Sequence, residues 1–234
     1  METKMKISIF IPCIPGHFSN LKNIIFNIFR GTDWPGEIVI LLSAARGVPA
    51  NVIDDFEKEM DKYRDHFTIY LHKEDYHMFT GEACNEILSL CRGDVIVIQA
   101  ADDLPHFRRI EIIRQYFTNY PEMLCLNHSF WGKCDMSYYG MELLEEYTHI
   151  KLKNIAVVES RDISDHLIRR PDDVYGQFLP FKVAAGTIAY RKKVAEETRW
   201  SSAPRGQDTI FCKEVLKKYG RSIIIDAPVY YYFK

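Results

Sequence analysis

Two adjacent carboxylates, Asp102 and Asp103, follow the apolar run DVIVIQ at residues 94–99. A β-branched run of that kind reads as a buried strand. In open parallel sheets, ligands bind beyond the carboxyl ends of the strands. Paired carboxylates at such a place repel each other unless a cation or hydrogen-bond donors offset the charge. Mg²⁺ or Mn²⁺ suits them, because hard ions take oxygen ligands and need few from protein where phosphates supply the rest. Ala100 and Ala101, just before the pair, leave room for a ligand to come close. Asp is also a favoured helix N-cap, so capping the helix that follows is an open alternative, and one carboxylate can cap while the other ligates.

A second acidic group, Asp208, opens the amphipathic stretch 207–219, which Gly220 closes as a residue just past a helix end. Asp208 there suits ordinary helix-start chemistry. Phe130, Trp131, Trp200 and the run Tyr230-Tyr231-Tyr232 offer flat apolar faces to a ligand, and more often such residues build a core or a sheet edge. His149 and His166 are either additions to a metal shell or surface imidazoles.

The elements that must position these groups alternate. Apolar runs predict strands over 7–12, 37–42, 67–71 and 94–99; helical spacing predicts helices over 20–29, 52–63, 81–91 and 107–117. Further on, strands are expected over 123–130, 183–190 and 222–225, with helices over 191–198 and 207–219 and an aromatic edge strand over 228–233. Residues 131–180 show weak periodicity. Strands apolar on both faces and interleaved with helices imply an α/β domain with a mostly parallel sheet covered on both sides. The whole chain, 1–234, reads as one domain, its first half for one ligand and its second for another.

Bulk composition excludes several classes. With 47% hydrophobic and 26% charged residues the chain builds an ordinary core, and its net charge of −2 argues against a nucleic-acid partner. Cys13, Cys84, Cys91, Cys125, Cys134 and Cys212 form no C-x-x-C pair. They read as reduced thiols that fill the core of a cytoplasmic protein. No apolar run approaches the ~18 residues of a transmembrane segment.

Residues 96–111, IVIQAADDLPHFRRIE, resemble the central signature of family-2-type GT-A glycosyltransferases. That signature runs from a hydrophobic strand through Asp-x-Asp-Asp and a short apolar link to His-Pro-x-Arg and a helix. His106, Arg109, Ile110 and Glu111 fall in register, the usual metal-binding aspartate falls on Asp102, and Ala100 stands where the family has its first aspartate. Residues 8–15 resemble the family's opening strand and base-cradling loop, which implicates Pro12 and Ile14. Leu42 and Ser43 stand where an aspartate usually meets uracil. Residues 80–85 resemble a helix start that closes over the nucleotide, with Gly81, Ala83 and Asn85 matching and Cys84 replacing an arginine. Residues 185–192 resemble an acceptor-side stretch containing Gly186 and Thr187. Residues 206–211 resemble Gly-Glu-Asp-x-x-Phe, with Gln207 for the glutamate and Asp208 as the base.

The resemblance implies a Rossmann-like GT-A fold, with residues 1–120 binding a nucleotide sugar and 121–234 an acceptor. Pro12, Ile14, Ser43, Gly81, Asn85, Ala100, Ala101 and Asp102 would meet the donor, and Asp102 and Asp103 the metal, Mn²⁺ or Mg²⁺. Gly186, Thr187 and Gln207 would meet the acceptor. The implied reaction is inverting transfer from a nucleoside-diphosphate sugar, with UDP-sugar favoured, to a hydroxyl of a glycan, lipid-linked or protein acceptor. A non-catalytic nucleotide- or glycan-binding module is the rival. A nucleotidyltransferase fits less well, because residues 13–20 hold no basic residue other than His17.

Overall fold

The β-branched runs assemble into one twisted sheet. The computed structural model describes residues 4–128, 131–134, 155–159, 184–225 and 229–233. Its strands are β1 (Ile7–Cys13), β2 (Glu37–Leu42), β3 (Thr68–Lys73), β4 (Val95–Ile98), β5 (Leu104–Pro105), β6 (Cys125–His128), β7 (Trp131–Cys134), β8 (Ile155–Glu159), β9 (Ile188–Arg191), β10 (Arg221–Ile225) and β11 (Tyr230–Phe233). Its helices are α1 (Leu21–Phe29), α2 (Ala50–Met60), α3 (Thr80–Asn85), α4 (Ile87–Leu90), α5 (Arg109–Asn119), α6 (Lys192–Glu197) and α7 (Gln207–Tyr219).

The main sheet has the order β3-β2-β1-β4-β9-β6-β10-β8. Strands β3, β2, β1 and β4 are mutually parallel. Strand β9 runs against both β4 and β6, and β10 returns parallel to β6. β8 closes this side antiparallel to β10. The sheet is therefore mostly parallel, with two reversed strands.

Side-chain alternation sorts the strand residues into two cores. Ile7, Ile9, Ile11, Ile38, Ile40 and Val97 face α1, α2 and α5, meeting Ile24, Phe56 and Ile113. Phe10, Val39, Leu41, Ile96 and Ile98 face the other way, toward Ala83, Ile87, Val194 and Phe211 on α3, α4, α6 and α7. Helices thus cover both faces, as the unbroken apolar runs require. Cys13, Cys84, Cys91, Cys125 and Cys212 are buried free thiols.

Helix boundaries follow local chemistry. Leu21, Ile24, Ile25 and Ile28 place the buried stripe of α1 at helical spacing. Helix α7 stops at Gly220, whose φ of 79° only glycine adopts without strain and whose N–H bonds the Leu216 carbonyl.

Three expectations differ from the structure. The strand expected over 183–190 begins only at Ile188, after a 3-10 turn over Ala185–Thr187. The helix expected over 81–91 breaks at Glu86. There the backbone switches to i→i−3 bonds, Glu86 N–H to Ala83 and Ser89 N–H to Glu86, and Ser89 Oγ also donates to the Glu86 carbonyl. The aromatic strand near the end is no edge. β11 is the middle strand of a second sheet, β5-β11-β7, antiparallel to β5 and parallel to β7. Tyr230 and Tyr231 are 0% and 3% exposed, and such large rings need cover on both sides.

One backbone position is strained. Ala44, directly after the turn out of β2, has φ 51°, and its N–H is held by the Tyr76 carbonyl at 2.8 Å. Left-handed backbone costs an alanine roughly 1–2 kcal/mol, partly offset in a glycine by its freer unfolded chain. Ala44→Gly is expected to stabilise the fold by up to ~1 kcal/mol in chemical denaturation. A glycine variant less stable than the parent would contradict the left-handed assignment.

Candidate active site

Strand β1 leads outward to β2 and β3 on one side, while β4 lies on its other side. A parallel sheet parts its loops at such a reversal and leaves a crevice at the carboxyl ends. A cleft of about 170 Å³ opens there. Pro12, Cys13, Ile14 and His17 line it beyond β1, Ser43 beyond β2, and Ile98, Ala100, Ala101 and Asp102 at the end of β4. Met78, Thr80 and Ala83 complete the α3 side, and Ala185 closes it before β9. Six of the eight donor-binding residues expected from the sequence therefore meet at one cleft: Pro12, Ile14, Ser43, Ala100, Ala101 and Asp102.

The other two do not line it. Gly81 is a packing glycine: a Cβ there would stand 2.0 Å from the Ser201 carbonyl oxygen. Asn85 clasps Trp200 instead, its Nδ2 donating to the Trp200 carbonyl at 3.1 Å and its Oδ1 accepting the Trp200 N–H at 2.9 Å.

The two carboxylates separate. Asp102 is half-buried in the cleft, and no described residue forms a hydrogen bond or ion pair with it. Asp103 is 2% exposed and turned inward, its Oδ2 accepting from Tyr230 Oη at 2.8 Å. The expectation that both face one crevice is corrected here: a buried carboxylate needs donors, and Tyr230 supplies one. Neither aspartate caps α5, because β5 intervenes and the residue preceding that helix is Arg108.

The turn between them is held from three directions. Gln99 Nε2 donates to the carbonyls of Ala100 and Asp103 at 2.8 and 2.9 Å. Asn20 Nδ2 donates to the Ala101 carbonyl at 3.1 Å. The Ala100 N–H donates to Tyr230 Oη at 3.2 Å.

Behind the turn lies Arg109, 1% exposed. Its Nε donates to His128 Nε2 at 3.0 Å, and its two terminal nitrogens donate to Gln99 Oε1 at 2.7 Å, to the Ile98 carbonyl at 2.8 Å and to the Gly186 carbonyl. The guanidinium also lies 4.9 Å from the Tyr230 ring centre. Burial pushes Arg109 down to about 10, with Tyr230 and Asp103 holding it up, so it stays charged at neutral pH. Burial, with a smaller push from Asp102, raises the Cys13 thiol to about 12. Cys13 therefore meets the cleft as a neutral thiol, not a nucleophile.

On the acceptor side the expected residues scatter. Gly186 is buried against Tyr230, where a Cβ would meet the phenol oxygen at 1.9 Å. Thr187 is fully buried and donates to the Ala184 carbonyl at 2.7 Å. These two serve packing in the structure, and only their neighbour Ala185 reaches the cleft. Gln207 is half-buried, and its Oε1 has no protein partner among the described residues. Its Cβ lies 3.4 Å from where a Gly81 Cβ would stand, next to the cleft residue Thr80. Asp208, half-buried in the first turn of α7, accepts the Thr209 N–H at 2.7 Å.

Sequence reasoning passed over Gln99 and Asn20 as site residues and gave Tyr230 only an aromatic face. A glutamine ending a buried apolar strand was the available signal for the first of these. Phe130, His149 and His166 lie outside the described residues.

No protein-family model matches the chain. No curated protein matches it either. Solved structures do. Residues 1–349 of S. aureus TarS, in complex with UDP-GlcNAc, superpose with a TM-score of 0.66 at 13% identity, over 98% of this chain and 59% of that one. The mannosyltransferase PcManGT from Pyrobaculum calidifontis, with GDP-Man and Mn²⁺, gives 0.61 at 14% identity, over 97% and 58%. Glucosyl-3-phosphoglycerate synthase from Mycobacterium tuberculosis, with Mn²⁺, UDP and glucosyl-3-phosphoglycerate, gives 0.60 at 13% identity, over 92% and 67%. At this identity the likeness shows the fold: the chain has the GT-A fold. It spans about three fifths of the TarS fragment.

Proposed function

We propose that this chain is a glycosyltransferase. In this reading it moves a sugar from a nucleoside-diphosphate sugar, UDP-sugar by preference, to an acceptor hydroxyl, with inversion. The observation that carries it is Asp102: a half-buried carboxylate without a protein partner among the described residues, at the reversal point of a GT-A sheet. Structural neighbours bind UDP-GlcNAc, GDP-Man, UDP and Mn²⁺ on the same fold.

The donor set fits an ion shared with a diphosphate. Among the described residues no three His, Cys, Asp or Glu side chains converge into a protein cage. The cleft supplies one carboxylate, Asp102, which suffices where phosphate oxygens and water fill the remaining positions. Mn²⁺ or Mg²⁺, when bound, offsets the negative charge on the departing diphosphate.

The protein's own residues do the rest. Pro12 and Ile14 form an apolar wall for the base, and Ser43 offers a polar edge to it. Ala100 and Ala101 leave room for the diphosphate. Residues 1–120 hold the donor and 121–234 the acceptor within one domain. Gln207 Oε1 is free to accept from an acceptor hydroxyl, and Asp208 takes that hydroxyl's proton as the oxygen attacks the anomeric carbon.

The alternative, a non-catalytic nucleotide- or glycan-binding module, is favoured by one observation. Among the described residues that line the cleft His17 is the sole basic side chain, and buried Cys84 stands where the resemblance places an arginine. The test is a screen of UDP-, GDP- and dTDP-sugars with and without Mn²⁺, with transfer and donor hydrolysis followed separately in the parent and in Asp208→Asn. Asp208→Asn is expected to lose transfer by about 10²–10⁴-fold while nucleotide binding is kept. Parent-like transfer would remove Asp208 from the reaction, and binding without any turnover would favour the module.

Among the described residues no helix is long and apolar enough to cross a membrane.

A further inference from the structure

The two aspartates that end β4 are neighbours in sequence, yet only one reaches the cleft. A residue 127 positions from Asp103 decides which. Tyr230 Oη donates to Asp103 Oδ2 at 2.8 Å and accepts the Ala100 N–H at 3.2 Å. One hydroxyl thus grips both ends of the four-residue turn that carries Asp102 to the cleft. Gln99 and Asn20 take the turn's carbonyls, and Tyr230 is a contact that reaches its buried acidic side chain, Asp103.

Three packing facts fix the hydroxyl in place. Tyr230 is 0% exposed, in the middle strand of the second sheet. Its ring lies 4.9 Å from the Arg109 guanidinium carbon. Residue 186 has no side chain on the remaining side, where any Cβ would stand 1.9 Å from the phenol oxygen. Gly186 therefore makes the space that the hydroxyl fills.

We propose that Tyr230 is a positioning residue of the active site. By holding Asp103 inward and the Ala100 amide in place, it presents Asp102, and Asp102 alone, to the diphosphate and its cation. Asp103 belongs to this clamp. The metal-facing part rests on the glycosyltransferase reading above; the holding of the turn does not. Gly186 serves the same clamp, where the sequence had suggested a contact with the acceptor.

The test separates these two parts. Amide hydrogen exchange by mass spectrometry is measured on the full chain without ligand, in the parent and in Tyr230→Phe, which keeps the ring and removes the hydroxyl. The peptide covering residues 99–104 is expected to exchange about tenfold faster in the variant, while peptides over β2 keep the parent rate. Unchanged exchange at 99–104, or equal acceleration everywhere, would overturn the clamp. Gly186→Ala, which crowds the hydroxyl without deleting it, is expected to give the same local signature. It serves as the second variant should Tyr230→Phe fail to fold.

Titration of UDP with Mn²⁺ then tests the presentation of Asp102. About a tenfold weaker affinity in Tyr230→Phe supports it, and parent-like affinity overturns it. A parent that binds neither UDP nor Mn²⁺ would overturn the glycosyltransferase reading and the metal-facing part together. The exchange result would still decide whether Tyr230 holds the turn.

Discussion

Asp102→Asn is expected to weaken Mn²⁺-dependent UDP binding by about 100-fold or more while the melting temperature stays within a few degrees of the parent. Asp103→Asn is expected to do the opposite, lowering stability by about 2–4 kcal/mol with a much smaller direct effect on the metal. The contrast follows from where each carboxylate points. Asp102 is half-buried in the cleft with no described partner, so neutralising it removes nothing the fold depends on. It does remove the charge that a hard cation requires. Asp103 is 2% exposed, accepts from Tyr230, and helps to keep Arg109 charged. An amide in its place leaves a buried cation short of compensation. Calorimetric titration of UDP with and without Mn²⁺, alongside thermal melts of both variants, reads the two effects separately. If Asp103→Asn lost metal binding as completely as Asp102→Asn at unchanged stability, the two carboxylates would be acting together and the geometry described here would be wrong.

Adjacent aspartates look alike in a sequence, and this pair shows where local reasoning ends. Periodicity predicted the runs that became β1, β2, β4 and α7, because each is decided by side chains within a few residues of one another. Apolar character on both strand faces predicted the mostly parallel sheet with helices on both sides. The insertion of β9 between β4 and β6, and the pairing of β11 with β5, were not legible. Both depend on contacts across long stretches of chain, which no short window contains. The same limit explains the glycines. Gly81 was expected to meet the donor and Gly186 the acceptor, yet what approaches them is the Ser201 carbonyl and the Tyr230 phenol. A glycine signals close approach without saying by what. Asn85 likewise matched a helix-start motif, while its partner, the Trp200 backbone, lies 115 residues away. Part of the cleft lining was legible: Pro12, Ile14, Ser43, Ala100, Ala101 and Asp102 sit at the ends of strands that the periodicity defines.

Arg109 should be the least replaceable side chain in the described structure. Arg109→Ala is expected to destabilise the protein by about 3–5 kcal/mol, and Arg109→Lys by more than half of that, with loss of UDP binding following from the unfolding and not preceding it. The guanidinium is buried, yet it satisfies four acceptors at once: His128 Nε2, Gln99 Oε1 and the carbonyls of Ile98 and Gly186. Those acceptors come from β4 and the residue after it, from β6, and from the turn before β9. A single fork therefore ties together the strands at which the sheet changes direction. Lysine brings one nitrogen and a different shape, so it cannot reach all four, and the orphaned carbonyls would be buried without donors. Burial already pushes Arg109 down to about 10, which means that the fold carries a cost for its charge and recovers it through these bonds. Truncation removes the bonds and leaves Asp103 facing Tyr230 without the cation beyond it. Urea denaturation of the parent, Arg109→Lys and Arg109→Ala gives the two differences directly. A loss under about 1 kcal/mol for Arg109→Ala would show that the network contributes little, because buried charge pairs that cost as much as they return behave in that way.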